Sequence, residues 1–263
     1  MDILHAIILG AVQGITEFLP VSSSGHLVLF PWILGWEYQG VSFDAAVHVG
    51  TLIGVMGYFW REWRSMIGSL KQGYRKDHFE QKLLFFIILA TVPGAVAGYL
   101  LKDYAEGIFR SPEIVAVSLI LFSFVMFAGE KFGKKTKNLG HLNLQKAFLV
   151  GLFQALAIIP GISRSGATIS AGLLLGLSRA EAAKFSFLIA APIIFGAGLF
   201  KFPDMLREGV SVEFFVGVVV SALSGYFAIK FLFKFLEKAS YMGFVWYRII
   251  LGLAIFALIF AGK

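Results

Sequence analysis

Gln13-Gly-Ile-Thr-Glu17-Phe-Leu-Pro20-Val-Ser22-Ser23-Ser24-Gly25-His26 is a run of functional groups inside a segment that otherwise reads as membrane. Residues 3–19 are mostly apolar, and residues 27–34 are apolar again. Ionisable groups at membrane depth are costly, about 3 kcal/mol each or more, so a cluster of them there marks a functional site by default. A capped helix start in a soluble loop would use the same residue types, but composition argues against it. The chain has 263 residues, 58% hydrophobic and 15% charged, with a mean hydropathy of +0.80. A soluble domain carries roughly 25% charged residues, so an integral membrane protein is expected.

The first residues carry Asp2 and neither Lys nor Arg, so no cleaved signal is expected. The net charge of +7 comes from basic residues that flank apolar runs. They read as topology signals and contacts to anionic lipid head groups, not as a nucleic-acid surface. The chain has no cysteine, which excludes disulfides, thiolate metal sites and a cysteine nucleophile.

A helix needs about 20 residues to cross a ~30 Å hydrocarbon core. The apolar runs on either side of Pro20 and Ser22-Ser23-Ser24-Gly25 are too short. Two half-helices joined by a loop at membrane depth, a re-entrant hairpin, fit better than one broken span, and such a loop must be surrounded by protein or line a water-filled cavity. Full spans are expected near 43–60, 83–101 and 113–128. After a polar, basic stretch the pattern returns. At an offset of 141, Gly10, Gln13, Ser22, Ser24, Gly25, Leu34 and Gly35 fall on Gly151, Gln154, Ser163, Ser165, Gly166, Leu175 and Gly176. Their clustering on both polar interruptions favours a true repeat over chance. The second interruption reads Pro160-Gly161-Ile-Ser163-Arg164-Ser165-Gly166-Ala-Thr168, and spans near 183–200, 212–234 and 244–261 follow.

Lys and Arg set orientation. Segments 61–82, 129–146, 177–184 and 230–248 hold six, five, two and four, while 102–113 and 201–213 hold two each. The first set is assigned to the cytoplasm and the second to the outside, with the N-terminus and Lys263 external. Each half has three spans, so the halves are inverted. The expectation is an all-α polytopic membrane protein: an inverted-topology repeat, 1–128 and 142–263 joined by the basic cytoplasmic loop 129–141. It has six transmembrane helices plus two re-entrant helical hairpins whose tips meet. Apart from Lys263, Arg164 is the one Lys or Arg outside a flanking segment on this count, and it faces Glu17 and His26. A structural Glu17–Arg164 ion pair is the bland alternative, but it leaves the hydroxyls and the histidine without a purpose.

These groups suit phosphoryl transfer. Gln13 and Glu17 share a helix face. Ser22, Ser24 and Gly25, and in the second copy Ser163, Ser165, Gly166 and Thr168, open half-helices whose free N–H groups and positive dipole ends attract phosphate. Arg164 adds a planar fork that matches phosphate oxygens. Glu17 is a hard oxygen ligand for Mg²⁺, with Gln13 beside it. His26, near a helix start, is biased toward the neutral form, ready to accept a proton or attack. A site among Phe-rich spans implies a lipid-tailed substrate. His48, in an apolar span near Asp44, could join the site, but a packing or hydrogen-bonding role is the expectation.

Through Gln13-x-x-x-Glu17 with Phe18-Leu-Pro-Val-Ser-Ser-Ser-Gly-His26, and Pro160-Gly-Ile-Ser-Arg164-Ser-Gly-Ala-Thr168, essentially the whole chain resembles the undecaprenyl-diphosphate phosphatase family, the bacitracin-resistance proteins. The resemblance implies hydrolysis of the C55 isoprenoid diphosphate to the monophosphate and phosphate at the outer face of a bacterial plasma membrane, with Mg²⁺ or Ca²⁺, recycling the carrier for cell-wall synthesis. It implies Glu17 on the metal, Ser23 and His26 in nucleophilic or proton-transfer work, and Arg164 on phosphate. Whether Ser23, His26 or water attacks is open at this level. Many members have glutamate at position 13; the pattern admits either, but Gln13 is no second anionic ligand. The competing function is a transporter or flippase of prenyl phosphates, since inverted repeats with mid-membrane hairpins also build transporters. A homodimer is compatible with the sequence.

Overall fold

A computed structural model describes residues 2–73, 78–208 and 211–262. Arg75 and Lys76 of the basic loop, and Lys263, lie outside them. The regular secondary structure of the described residues is helical, apart from one isolated backbone bridge between Lys137 and Leu177.

Six helices are long and apolar enough to cross a membrane: α3 (Val41–Tyr58), α5 (Phe79–Leu100), α7 (Pro112–Phe132), α10 (Arg179–Glu208), α11 (Val212–Leu236) and α12 (Met242–Phe260). They match the six expected spans to within a turn or so, except that α10 runs on past residue 200 through Pro203. The chain is a multi-pass membrane protein. Short helices α4 (Trp60–Ser69) and α6 (Lys102–Glu106) follow α3 and α5.

The two interrupted segments form pairs of short helices. α1 (Ile3–Phe18) and α2 (Ser23–Leu34) have 16 and 12 residues, and α8 (Leu144–Leu156) and α9 (Arg164–Leu174) have 13 and 11. At 1.5 Å per residue each falls short of a ~30 Å core. α1 is capped by the Asp2 side chain, which accepts from His5 N–H (2.8 Å). It stops before Pro20 because a residue preceding proline is forced to extended geometry, as Leu19 is (φ −70°, ψ 140°).

α1 packs on α11, and α8 packs on α5. Gly10 and Gly151 sit at these two crossings. A Cβ on Gly10 would lie 2.8 Å from the Gly217 carbonyl, and one on Gly151 2.6 Å from that of Ala90, so the backbones approach only because both residues are glycine. α3 packs on α10 and α11, α7 on α12, and α9 on α7, α8 and α10. The inner core is aromatic: Phe18, fully buried at the end of α1, meets Phe187 of α10 edge-on with ring centroids 5.2 Å apart. That contact pins the α1 terminus beside α10. Where α7 ends and α10 and α12 begin, Glu130 accepts from the Arg179 guanidinium and from Tyr241 N–H. Burial, with Glu130 nearby, pushes the Tyr241 phenol well above its ordinary value, so it stays a neutral donor to the Arg179 carbonyl (3.2 Å).

Candidate active site

The turn after Pro20 places Ser22 at φ 76°, a left-handed conformation that costs a non-glycine residue about 1–2 kcal/mol. Two hydrogen bonds offset this. Ser22 Oγ accepts from Gly25 N–H (3.3 Å), capping α2, and from Gly161 N–H (3.0 Å) in the other turn. Ser163 repeats the device at φ 73°, with its Oγ accepting from Gly166 N–H (3.1 Å). Ser165 Oγ donates back to the Leu19 carbonyl (3.1 Å). The two turns therefore interlock. Gly161, at φ 97°, sits so close to α7 that a Cβ there would lie 2.6 Å from the Val115 carbonyl.

Glu17, 5% exposed, is the hub of the interlock. Oε1 accepts from Arg164 Nη2 (2.8 Å). Oε2 accepts from Gln13 Nε2 (2.8 Å) and from the Ser23 hydroxyl in a short bond. Gln13, Glu17, Ser23 and Arg164 thus come together as expected. His48 joins them, which the sequence reading did not expect: its Nε2 is 3.5 Å from Glu17 Oε2, and its Nδ1 is 2.7 Å from the Asp44 carbonyl. The Asp44 carboxylate is engaged elsewhere, by Arg110 (2.5 Å) and Tyr38 (2.8 Å).

His26 is buried but makes no contact with Glu17. Its Nδ1 lies 2.7 Å from the Ser22 carbonyl, and its Nε2 2.7 Å from the Tyr247 hydroxyl of α12. Ser24 lies at the edge of the turn, 3.5 Å from Ser22 Oγ. Thr168 is turned inward, its hydroxyl donating to the Arg164 carbonyl (2.9 Å) and lying in hydrogen-bond contact with the Ser186 hydroxyl (2.6 Å), so it braces α9 against α10.

Arg164 is not alone in the interior. Arg248 is 0% exposed, and among the described residues no carboxylate pairs with it. Its Nε donates to Ser123 Oγ (3.2 Å), Nη1 to the Pro20 carbonyl (3.4 Å), and Nη2 to the carbonyls of Gly161 (2.8 Å) and Leu119 (3.4 Å). The orientation count placed it in the flank 230–248, although the expected span 244–261 already contained it. Helical periodicity carries it inward from a start at Met242. Tyr247, its neighbour, left no signal beyond that position.

Three buried polar atoms in this region have no partner: Gln13 Oε1, Gln154 Oε1 and Arg164 Nη1. Gln154 and Arg164 line a cavity of about 440 Å³ between α5 and α10. Thr91, Ala95, Ile193 and Phe200 are among its walls, and Lys102, Glu106 and Lys201 lie at its other end. An arginine in the wall of a largely apolar cavity suits an anionic head on an apolar tail. For a divalent cation, Gln13 Oε1 is an acceptor without a donor, but the amide turns its Nε2 to Glu17, so it must rotate for both residues to offer oxygen to one ion. Two hard oxygens on one helix face fit an ion whose other ligands come from water and a bound phosphate. Among the described residues no group of three or more His, Cys, Asp or Glu gathers to hold a metal unaided.

The sequence was compared with known proteins. The family described as Bacitracin resistance protein BacA matches residues 6–254. An undecaprenyl-diphosphatase of Pelotomaculum thermopropionicum is 47% identical over 258 residues, covering 98% of this chain and 97% of the relative. One of Moorella thermoacetica is 46% identical over 258 residues, 98% of each. One of Geobacter sulfurreducens is 43% identical over 268 residues, 99% of this chain and 100% of the relative. With the family matched over nearly its whole length and relatives matched end to end, this chain belongs to the BacA family of bacitracin resistance proteins.

Proposed function

We propose that this chain is an undecaprenyl-diphosphatase: it hydrolyses the polyprenyl diphosphate to the lipid monophosphate and inorganic phosphate in a bacterial plasma membrane. One observation carries the mechanism. A single buried carboxylate, Glu17, receives the Ser23 hydroxyl from one turn and the Arg164 guanidinium from the other. In the reaction Arg164 engages the terminal phosphate, using the nitrogen that has no partner in the protein. Glu17 takes the proton of Ser23 as Ser23 Oγ attacks the terminal phosphorus, the P–O bond to the bridging oxygen breaks, and Glu17 passes the proton to the departing lipid monophosphate. Water then hydrolyses the phosphoserine, with Glu17 or His26 as proton acceptor. N–H groups at the starts of α2 and α9 face the transferring group. Gln13 Oε1 and Glu17 would hold the Mg²⁺ or Ca²⁺, which when bound neutralises diphosphate charge. The cavity between α5 and α10 takes part of the tail.

The fold is read as an inverted repeat, 1–128 and 142–263 joined through 129–141, with α1–α2 and α8–α9 as re-entrant hairpins. The support is the matched pairs Ser22 and Ser163, Gly25 and Gly166, Gln13 and Gln154, and Gly10 and Gly151, together with the Lys and Arg asymmetry. On this reading residues 102–113 are external, the hairpin tips meet inside the bilayer, and the site opens outward. Single cysteines introduced into this cysteine-free chain test it: on intact cells an impermeant thiol reagent should label position 106 and spare positions 71 and 137, and the reverse pattern overturns the orientation.

The activity is tested by phosphate release from a short-chain prenyl diphosphate by purified protein in detergent with Mg²⁺. The enzyme turns over. A transporter of prenyl phosphates, the competing reading of an inverted repeat, releases no phosphate.

A further inference from the structure

The two hairpins are not the whole of the site. α12 enters it through two successive residues, Tyr247 and Arg248, about 100° apart around the helix. Arg248 points inward between the turns. One guanidinium holds Pro20 O of the first turn, Gly161 O of the second, and Leu119 O and Ser123 Oγ of α7. Tyr247 lies over His26, its ring stacked at 6° with centroids 5.8 Å apart and its hydroxyl 2.7 Å from Nε2.

The donors and acceptors fix the chemistry of this contact. The Ser22 carbonyl only accepts, so His26 Nδ1 carries the hydrogen. Nε2 of the neutral ring is then the lone pair, and the Tyr247 hydroxyl donates to it. Nε2 is the one atom of His26 with which it can take a proton. Arg248 is a buried cation without a carboxylate, a costly arrangement that carbonyl and hydroxyl acceptors only partly offset. Its acceptors come from both turns and the helix behind them, so its hydrogen bonds are fully satisfied only when the turns stand in register.

We propose that Tyr247 and Arg248 are positioning residues for the reaction, Arg248 holding the two turns in register and Tyr247 fixing the His26 ring through Nε2, the Ser22 carbonyl having set its Nδ1-protonated tautomer. The inference rests on the hydrolase reading for its kinetic consequence and on hydrogen bonding alone for the tautomer. Neither residue touches the reacting phosphorus, so their loss acts on turnover rather than on substrate affinity.

The test uses full-length protein in detergent and two readouts. In kinetics, Tyr247→Phe lowers kcat about 10–100-fold, the range for losing a group that orients a histidine through its second nitrogen. KM stays within about twofold and the thermal midpoint is unchanged. Arg248→Lys keeps the charge but reaches fewer acceptors; its kcat per folded molecule falls at least as far. In ¹⁵N NMR of histidine-labelled protein, with His26 assigned by its absence in His26→Gln, the wild type shows one Nδ1-protonated form, and Tyr247→Phe keeps that form with a changed Nε2 signal. Kinetics of Tyr247→Phe within twofold of wild type, or an unaltered His26 spectrum, overturn the role of Tyr247. An Arg248→Lys protein that melts earlier yet keeps full kcat per folded molecule reduces Arg248 to a stabilising residue. If wild-type protein releases no phosphate, the hydrolase reading falls, while the spectra still decide the tautomer.

Discussion

The two turns have nearly the same backbone and opposite chemistry. Ser22 and Ser163 share a left-handed φ, 76° and 73°, and each caps its helix through the N–H three residues on. Around that frame the side chains diverge at the same offset. Glu17, Ser23 and His26 of the first hairpin correspond to Ile158, Arg164 and Ala167 of the second. One turn carries the carboxylate, hydroxyl and imidazole, and the other carries the guanidinium. The difference teaches how two like turns make one asymmetric site: two equal anion-binding turns would supply only phosphate binding, whereas proton transfer needs a carboxylate on one side alone. The helices diverge in the same way. α3 lies tightly along α11, but the equivalent pair, α10 and α5, opens into the cavity that reaches Arg164.

The comparison breaks most sharply at Glu17. Glu17→Gln keeps the shape but has one acceptor oxygen where the carboxylate offers one to Arg164 and one to Ser23 and Gln13, and it removes the charge and the proton acceptor. The expected loss is about 10³-fold or more in kcat, and it persists in excess Mg²⁺. Near-normal turnover in excess Mg²⁺ would move the acid–base role off the first hairpin.

The smallest effect tests the likeness of the two turns. Ser22→Ala and Ser163→Ala each remove a helix cap worth about 1 kcal/mol, and both place alanine at positive φ. Both variants should lower the thermal midpoint. Ser22→Ala costs more, because Ser22 Oγ also accepts from Gly161 N–H. A larger loss from Ser163→Ala would mean that the turns interlock chiefly through the second.

Much of this was legible in the sequence. Apolar runs of about 20 residues give spans wherever they occur, and Pro20 and the Ser-Gly clusters stop helices by local chemistry that needs no tertiary information. The Glu17–Arg164 pair followed from cost, since charges at membrane depth seek each other. The rest depended on contacts distant in the chain. Tyr247 meets His26 across 221 positions, and its type alone does not distinguish it from the other seven tyrosines. His48 looked like packing because nothing local shows that α3 passes beside the end of α1. Arg248 was hidden by a count that treats any cation near a helix end as a flank. Its position 7 residues into α12 places it at depth, and four uncharged acceptors take the place of a partner charge.

The claim at the centre of the account is that Arg164 acts on phosphate and does not merely neutralise Glu17. The direct measurement is kcat/KM on a short-chain prenyl diphosphate for Arg164→Lys beside Arg164→Ala, with folding checked by size exclusion and thermal melt. A clamp needs the planar fork, and a point charge does not supply two parallel hydrogen bonds. The account predicts that lysine is nearly as damaging as alanine, each losing roughly 10²–10³-fold in a folded protein. An Arg164→Lys variant within a fewfold of wild type would contradict it and leave Arg164 as a structural counter-ion.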